Sequence, residues 1–296
     1  MQDYFSGGSL SGFDYVPLGV GTVAGDKRFE ILSAPIMGKS KAVYRARDLR
    51  FKRDVIFAHF WLKGDDAWQM REREAANLSQ LNHPGIVKLL DTGKTEKGMA
   101  FLVLEYIWGP TLSLVMRQER RLETTRAVEI LVQVANILSY IHKQNLIHGS
   151  MKANHIILDQ NGTAPDTVRL LDLSLAQQTG LTRPSSNWSE TFQLVGNPSP
   201  EELRGEPLDA RSDFYSMGCL LYKALTGKSP FSGTSADEIR KKHLEEQAPG
   251  LKETHPQGIF SPSLEQCVAR MMRKEAKDRY QNVDELIADL RSSVRR

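Results

Sequence analysis

The periodicity of this sequence changes once, near Gly109, and that single change constrains the fold more than any other feature. Ahead of it lie five runs rich in β-branched and aromatic residues, at 29–33, 42–46, 55–61, 86–91 and 100–104, which predict strands. One helix interrupts them at about 66–81, with Trp68, Ala75, Leu78 and Leu81 on one face. Behind Gly109, residues Ala127, Leu131, Val134, Leu138 and Ile141 recur at helical spacing. The stretch 214–225 is apolar all round, as expected of a helix buried on most sides. Ser235-Ala-Asp-Glu238 and Asn282-Val-Asp-Glu285 have the pattern of helix-start capping boxes. A β-rich front joined to an α-rich back by a short connection predicts an α+β fold of two lobes, at about 28–106 and 107–296.

Composition narrows the function classes. The net charge of +3 is small and both signs are interspersed, so the balance gives no ground for a nucleic-acid or anionic-membrane partner. Cys219 and Cys267 sit in apolar helical patterns and predict buried thiols in a reducing compartment. No stretch approaches the roughly 20 apolar residues that span a bilayer, so a membrane segment is not expected. The N-terminus lacks a basic-then-apolar leader layout, and the expected location is the cytoplasm. Residues 1–27 carry six glycines and read as a loosely packed extension. Within it, Gly19-Val-Gly-Thr-Val-Ala24 imitates a dinucleotide fingerprint, but a β-type run follows where that fingerprint needs a helix.

Motifs in the right order then point to a family. Asn82-His-Pro-Gly-Ile-Val87, Val103-Leu-Glu-Tyr-Ile107, the loop 146–158, Ser199-Pro-Glu201, Asp213-Phe-Tyr-Ser-Met-Gly218 and Arg279 resemble landmarks of the eukaryotic-type Ser/Thr protein kinases, in wording similar to the bacterial members. The resemblance covers about residues 28–294 and implies a bilobal kinase fold, with Leu104 as gatekeeper and Glu201 paired to Arg279. It implies ATP and Mg²⁺ as cofactors, and several replaced residues weigh against both.

Phosphoryl transfer needs a loop over the phosphates, a lysine on them, a metal held by oxygen ligands and a carboxylate that aligns the nucleophile. The glycine-rich loop falls on Ile36, Gly38 and Lys41, so only the middle glycine remains. Ala58 stands at the strand-lysine position, and Ile56 replaces the alanine that packs on adenine. Glu74 keeps the place of that lysine's partner. In the catalytic loop His148 is kept, as a structural residue. Gly149 replaces the phosphate-sensing arginine, Ser150 the catalytic aspartate and His155 the metal-binding asparagine. A hydroxyl is a far weaker base than a carboxylate, and imidazole is a poor donor to a hard cation. Lys152 and Asp172 are retained; Asp172 either ligates metal or pairs with Lys152. The segment 196–200 is three residues shorter than the family pattern, which puts the peptide platform in doubt. Lys41 occupies the third glycine position, as the displaced lysine does in the with-no-lysine kinases.

The expected function is therefore that of a pseudokinase, a binding or allosteric module for a protein partner, with an active kinase as one candidate. The alternative is a weak or unconventional ATP-dependent Ser/Thr protein kinase using Lys41 and Asp172, with Gly38 and Glu74 beside the nucleotide.

Overall fold

The computed structural model describes residues 16–38, 41–61, 72, 75–76, 78–96, 98–149, 151–162, 164–171, 177–181 and 196–295. The front lobe is a seven-stranded antiparallel sheet: β1 (Val23–Ala24), β2 (Phe29–Ile31), β3 (Ile36–Met37), β4 (Lys41–Asp48), β5 (Arg53–Phe60), β6 (Leu89–Lys94) and β7 (Ala100–Glu105). The order is β1-β2-β4-β5-β7-β6, with β3 pairing β4. Residues 72, 75–76 and 78–80 are helical, and Ala75, Leu78 and Leu81 are buried as the expected helix requires. Trp68 lies outside the described residues.

Strand alternation gives the sheet two apolar faces. One face presents Val43, Ile56, Ala58, Leu102 and Leu104 to the core shared with the back lobe. The other packs Phe29, Tyr44, Phe57, Phe101 and Val103 into a separate cluster, with the Phe57 and Phe101 rings stacked 5.0 Å apart.

Two expectations for this lobe need correction. The strand expected at 86–91 instead runs over Leu89–Lys94, with an irregularity between Leu89 and Asp91. Ile86 and Val87 are drawn away by the back lobe: Val87 N–H donates to the Leu170 carbonyl at 3.0 Å, and Leu170 N–H to that of Gly85 at 2.6 Å. Part of the expected extension also joins the sheet, since Val23 and Ala24 pair with Glu30 and Phe29. Its glycines serve a turn: Gly25 sits at φ 57°, where an added Cβ would meet the Phe29 ring at 2.8 Å.

The back lobe is helical, as expected. Its helices are α1 (Leu112–Glu119), α2 (Thr124–Lys143), α3 (Pro200–Arg204), α4 (Ala210–Thr226), α5 (Ala236–Glu245), α6 (Leu251–Thr254), α7 (Pro262–Met271) and α8 (Val283–Val294). In α2 all five residues of the helical pattern are buried. Helix α4 is buried on nearly every side and packs against α2 and α7. Ser235 and Asn282 cap α5 and α8 by accepting from the N–H of Glu238 and Glu285. Short ladders complete the lobe: β8 (Leu146–Ile147) with β11 (Gln177–Gln178), and β9 (Ile156–Asp159) with β10 (Thr167–Leu170). Among the described residues no helix is long and apolar enough to cross a membrane.

Helix α5 is tied down by His243, whose Nδ1 lies 3.0 Å from the Tyr215 hydroxyl and whose ring sits 4.8 Å from that of Phe231. Burial, helped by the charge of Lys274, depresses the His243 pKa to about 3. The folded chain then binds fewer protons than the unfolded one between about pH 3 and the ordinary histidine range. Stability is full above that window and falls as pH drops through it, by on the order of a few kcal/mol. Urea midpoints measured from pH 7 to 4 should fall steadily, and less steeply in His243→Gln; parallel curves for the two proteins would remove His243 as the cause.

Candidate functional site

Register places the nucleotide-side positions next to one another across three strands. Val43 pairs with Ala58 and Ala58 with Leu102, while Ile56 pairs with Leu104. The sheet therefore sets Ala58, Ile56 and Leu104, the residues that the resemblance assigns to the lysine, adenine-packing and gatekeeper positions, on one buried patch. Lys41, Val43, Ile56, Ala58, Phe60, Leu78, Leu104 and Leu171 line a cavity there of about 30 Å³. That holds roughly two waters, and a purine ring needs far more. Among the described residues this patch leaves little room for a purine ring.

Lys41 comes onto this patch because it pairs with Phe60, two residues beyond Ala58. Its Nζ stands 5.8 Å from the centroid of the Phe60 ring. Gly38 closes the hairpin between β3 and β4, its N–H donating to the Lys41 carbonyl at 2.8 Å. An added Cβ would stand 3.1 Å from that carbonyl oxygen, so the surviving glycine also answers a local packing need. Glu74, Ser150 and Asp172 lie outside the described residues.

The outer mouth carries an arrangement that motif reading missed. Arg45 projects from β4 with its guanidinium carbon 5.1 Å from the Tyr106 ring centroid and 4.7 Å from that of Trp108. Asp54 holds the same guanidinium. The lobe connection is pinned beside it: Glu105 accepts from the Lys88 N–H at 2.9 Å and from Arg169 on β10. Just past it, a Cβ on Gly109 would stand 1.9 Å from the Leu158 carbonyl oxygen, so only glycine allows this approach. The aromatic pair Tyr106 and Trp108 was the available sequence signal.

In the catalytic loop, Asp213 on α4 accepts from the N–H groups of His148 and Gly149, each at 2.9 Å, and lies 2.7 Å from His142 Nε2. Burial pushes its carboxyl pKa up, but the His142 bond and charge, the His148 charge and the Gly149 N–H outweigh this and hold it below the usual range. Gly149 has φ 66°, a conformation that costs a side-chain-bearing residue roughly 1 kcal/mol or more. His148 is fully buried and stacks on His155 with centroids 6.2 Å apart. His155 is itself 4% exposed, on a short 3₁₀ turn whose carbonyl accepts from Leu171 N–H. Among the described residues no group of three His, Cys, Asp or Glu side chains could hold a metal ion.

The shortened segment docks directly on this loop. Lys152 lies against Gly196, whose added Cβ would stand 2.9 Å from the lysine Cε. The Asn197 carbonyl accepts from Ser216 Oγ on α4 at 2.7 Å, and Ser199 caps α3. Glu201 then meets Arg279 in a two-point ion pair of 2.8 and 2.7 Å, as the resemblance implies.

Comparison with known proteins agrees with this geometry. The family model for the protein kinase domain matches residues 37–289. The chain is 34% identical over 262 residues to serine/threonine-protein kinase pkn3 of Myxococcus xanthus, across 86% of this chain and 47% of that protein. It is 33% identical over 272 residues to serine/threonine-protein kinase PknB of Mycolicibacterium smegmatis, across 89% of this chain and 42% of that protein. PknB of Mycobacterium tuberculosis gives the same identity and coverage. The chain thus spans less than half the length of these relatives.

Proposed function

The chain belongs to the protein kinase family, and from that premise we propose that it is a pseudokinase, a catalytically impaired domain that works by binding another protein. The observation that carries this reading is the filled slot: Ala58 and Ile56 stand where a phosphate-binding lysine and a small residue are needed, around a cavity of about 30 Å³. Kinases bring ATP and Mg²⁺ together through that lysine and a set of oxygen ligands. The docked segment 196–200 adds support, because Lys152 and α4 hold it where a peptide platform would otherwise form. The surfaces offered to a protein partner are the one around the exposed Trp108 and the segment 196–200. The free buried thiols of Cys219 and Cys267 fit a cytoplasmic setting.

A second reading, a weak or unconventional Ser/Thr kinase using Lys41 and Asp172, has its own support. Lys41 brings a cation to the patch that Ala58 leaves without one. The comparisons favour this reading over the first, since the relatives bear the names of serine/threonine-protein kinases.

Calorimetry with ATP, with and without Mg²⁺, separates the two. The pseudokinase reading expects no binding heat and no phosphate transfer to a generic protein substrate. Mg²⁺-dependent binding with transfer, both abolished in Lys41→Ala, would replace it by the second reading.

A further inference from the structure

The near-neutral balance of the chain hides a local concentration of charge on the front lobe, away from the cleft. The tip of the β4–β5 hairpin reads Leu49-Arg50-Phe51-Lys52-Arg53, the last being the first residue of β5, and all five residues are exposed. Phe51 is 56% exposed and Leu49 44%. Three guanidinium groups surround the Phe51 ring, those of Arg28, Arg50 and Arg53, at 5.2, 5.4 and 5.1 Å from its centroid. The turn that carries Lys27 lies alongside, because Leu49 N–H donates to the Arg28 carbonyl.

The nearby carboxylates are mostly spent. Asp48 is buried and tied to Arg28, Asp91 also meets Arg28, and Asp54 meets Arg45 and Arg47. Arg50, Lys52 and Arg53 form no ion pair among the described residues, and Asp26 is the one exposed acid in the adjoining turn. The result is a hairpin tip with two exposed apolar side chains and a cluster of cations around one of them. Scattered single apolar residues are ordinary on a surface. Here they alternate with three cations on one hairpin tip.

We propose that this tip docks on an anionic lipid surface, with Leu49 and Phe51 entering the boundary between headgroups and acyl chains and Lys27, Arg50, Lys52 and Arg53 meeting the headgroup phosphates. Exposed apolar side chains flanked by long-stemmed cations suit an anionic lipid layer, and each cation near such a surface adds roughly a fivefold gain in binding. Attraction of this kind falls with salt over the screening length.

Cosedimentation with phosphatidylcholine vesicles containing phosphatidylglycerol tests the proposal. The chain should bind them at low salt, bind pure phosphatidylcholine poorly, and weaken as salt rises. Arg50→Glu with Lys52→Glu should weaken binding by more than about tenfold. Phe51→Ser should weaken it in a chain that circular dichroism shows to remain folded at the assay temperature. Absence of binding, equal binding to neutral vesicles, or unchanged binding by these variants would overturn it. So would Phe51-dependent pairing of two copies in sedimentation equilibrium without vesicle binding, which would assign the tip to a second chain.

Discussion

Replacing Arg279 by alanine is expected to lower the unfolding free energy by about 3–5 kcal/mol, the cost of stranding one member of a buried ion pair. The guanidinium is wholly buried and spends its donors on Glu201, on Arg273 and Arg211 carbonyls, and on that of Lys274. Burial pushes the Glu201 pKa up, and the bonds and charge of Arg279, with Ser212, outweigh it and hold it low. Without Arg279, burial is opposed only by Ser212 and a backbone N–H, and the Glu201 pKa rises. The loss should then shrink at acid pH, where the carboxyl is neutral. Lysine should rescue little, since an ammonium cannot present two parallel donors to a carboxylate. Denaturant midpoints for Arg279→Ala, Glu201→Ala and the double variant provide the check. Additive losses in that cycle would mean the pair is not acting as a unit.

Removing the carboxylate of Asp213 should cost about 3 kcal/mol, because two backbone donors and an imidazole lose a charged acceptor at once. Asp213→Ala leaves the N–H groups of His148 and Gly149 buried without it. Asp213→Asn keeps one acceptor and should cost about half as much. The catalytic loop should loosen with the loss, so amide exchange at 146–149 should accelerate more than in α8. Equal acceleration across the back lobe would point to a general loss of stability instead. The sign with pH follows from the depressed carboxyl pKa. The contribution is present above the ordinary aspartate range and disappears as pH falls below it.

Much of the scaffold was legible because it rests on local rules. Helical spacing marked α2, the apolar run marked α4, and the residues at Ser235 and Asn282 announced their helix starts. Ile86 and Val87 misled for a physical reason. Their side chains favour a strand, but their backbone partner is Leu170 in the other lobe, and a long-range pairing leaves no local trace. The same applies to the site. Ala58, Ile56 and Leu104 could be placed from motif order, since strand register follows from alternation. The Arg45 bridge to Tyr106 and Trp108 and the Glu105–Arg169 pair join positions far apart in sequence. Gly149 was identified as a loss, and its left-handed backbone shows what the substitution relieves.

The filled slot has one consequence for how such a domain takes part in signalling. A lobe arrangement that depends on nucleotide occupancy rises and falls with ligand concentration. On the pseudokinase reading, Ile56, Phe60 and Leu104, which line the small cavity there, stand in for the ligand as covalent parts of the chain. That reading makes the arrangement of the front lobe a constant, the same in a starved cell as in a fed one. Whatever information such a domain conveys would then arrive through its outer surface.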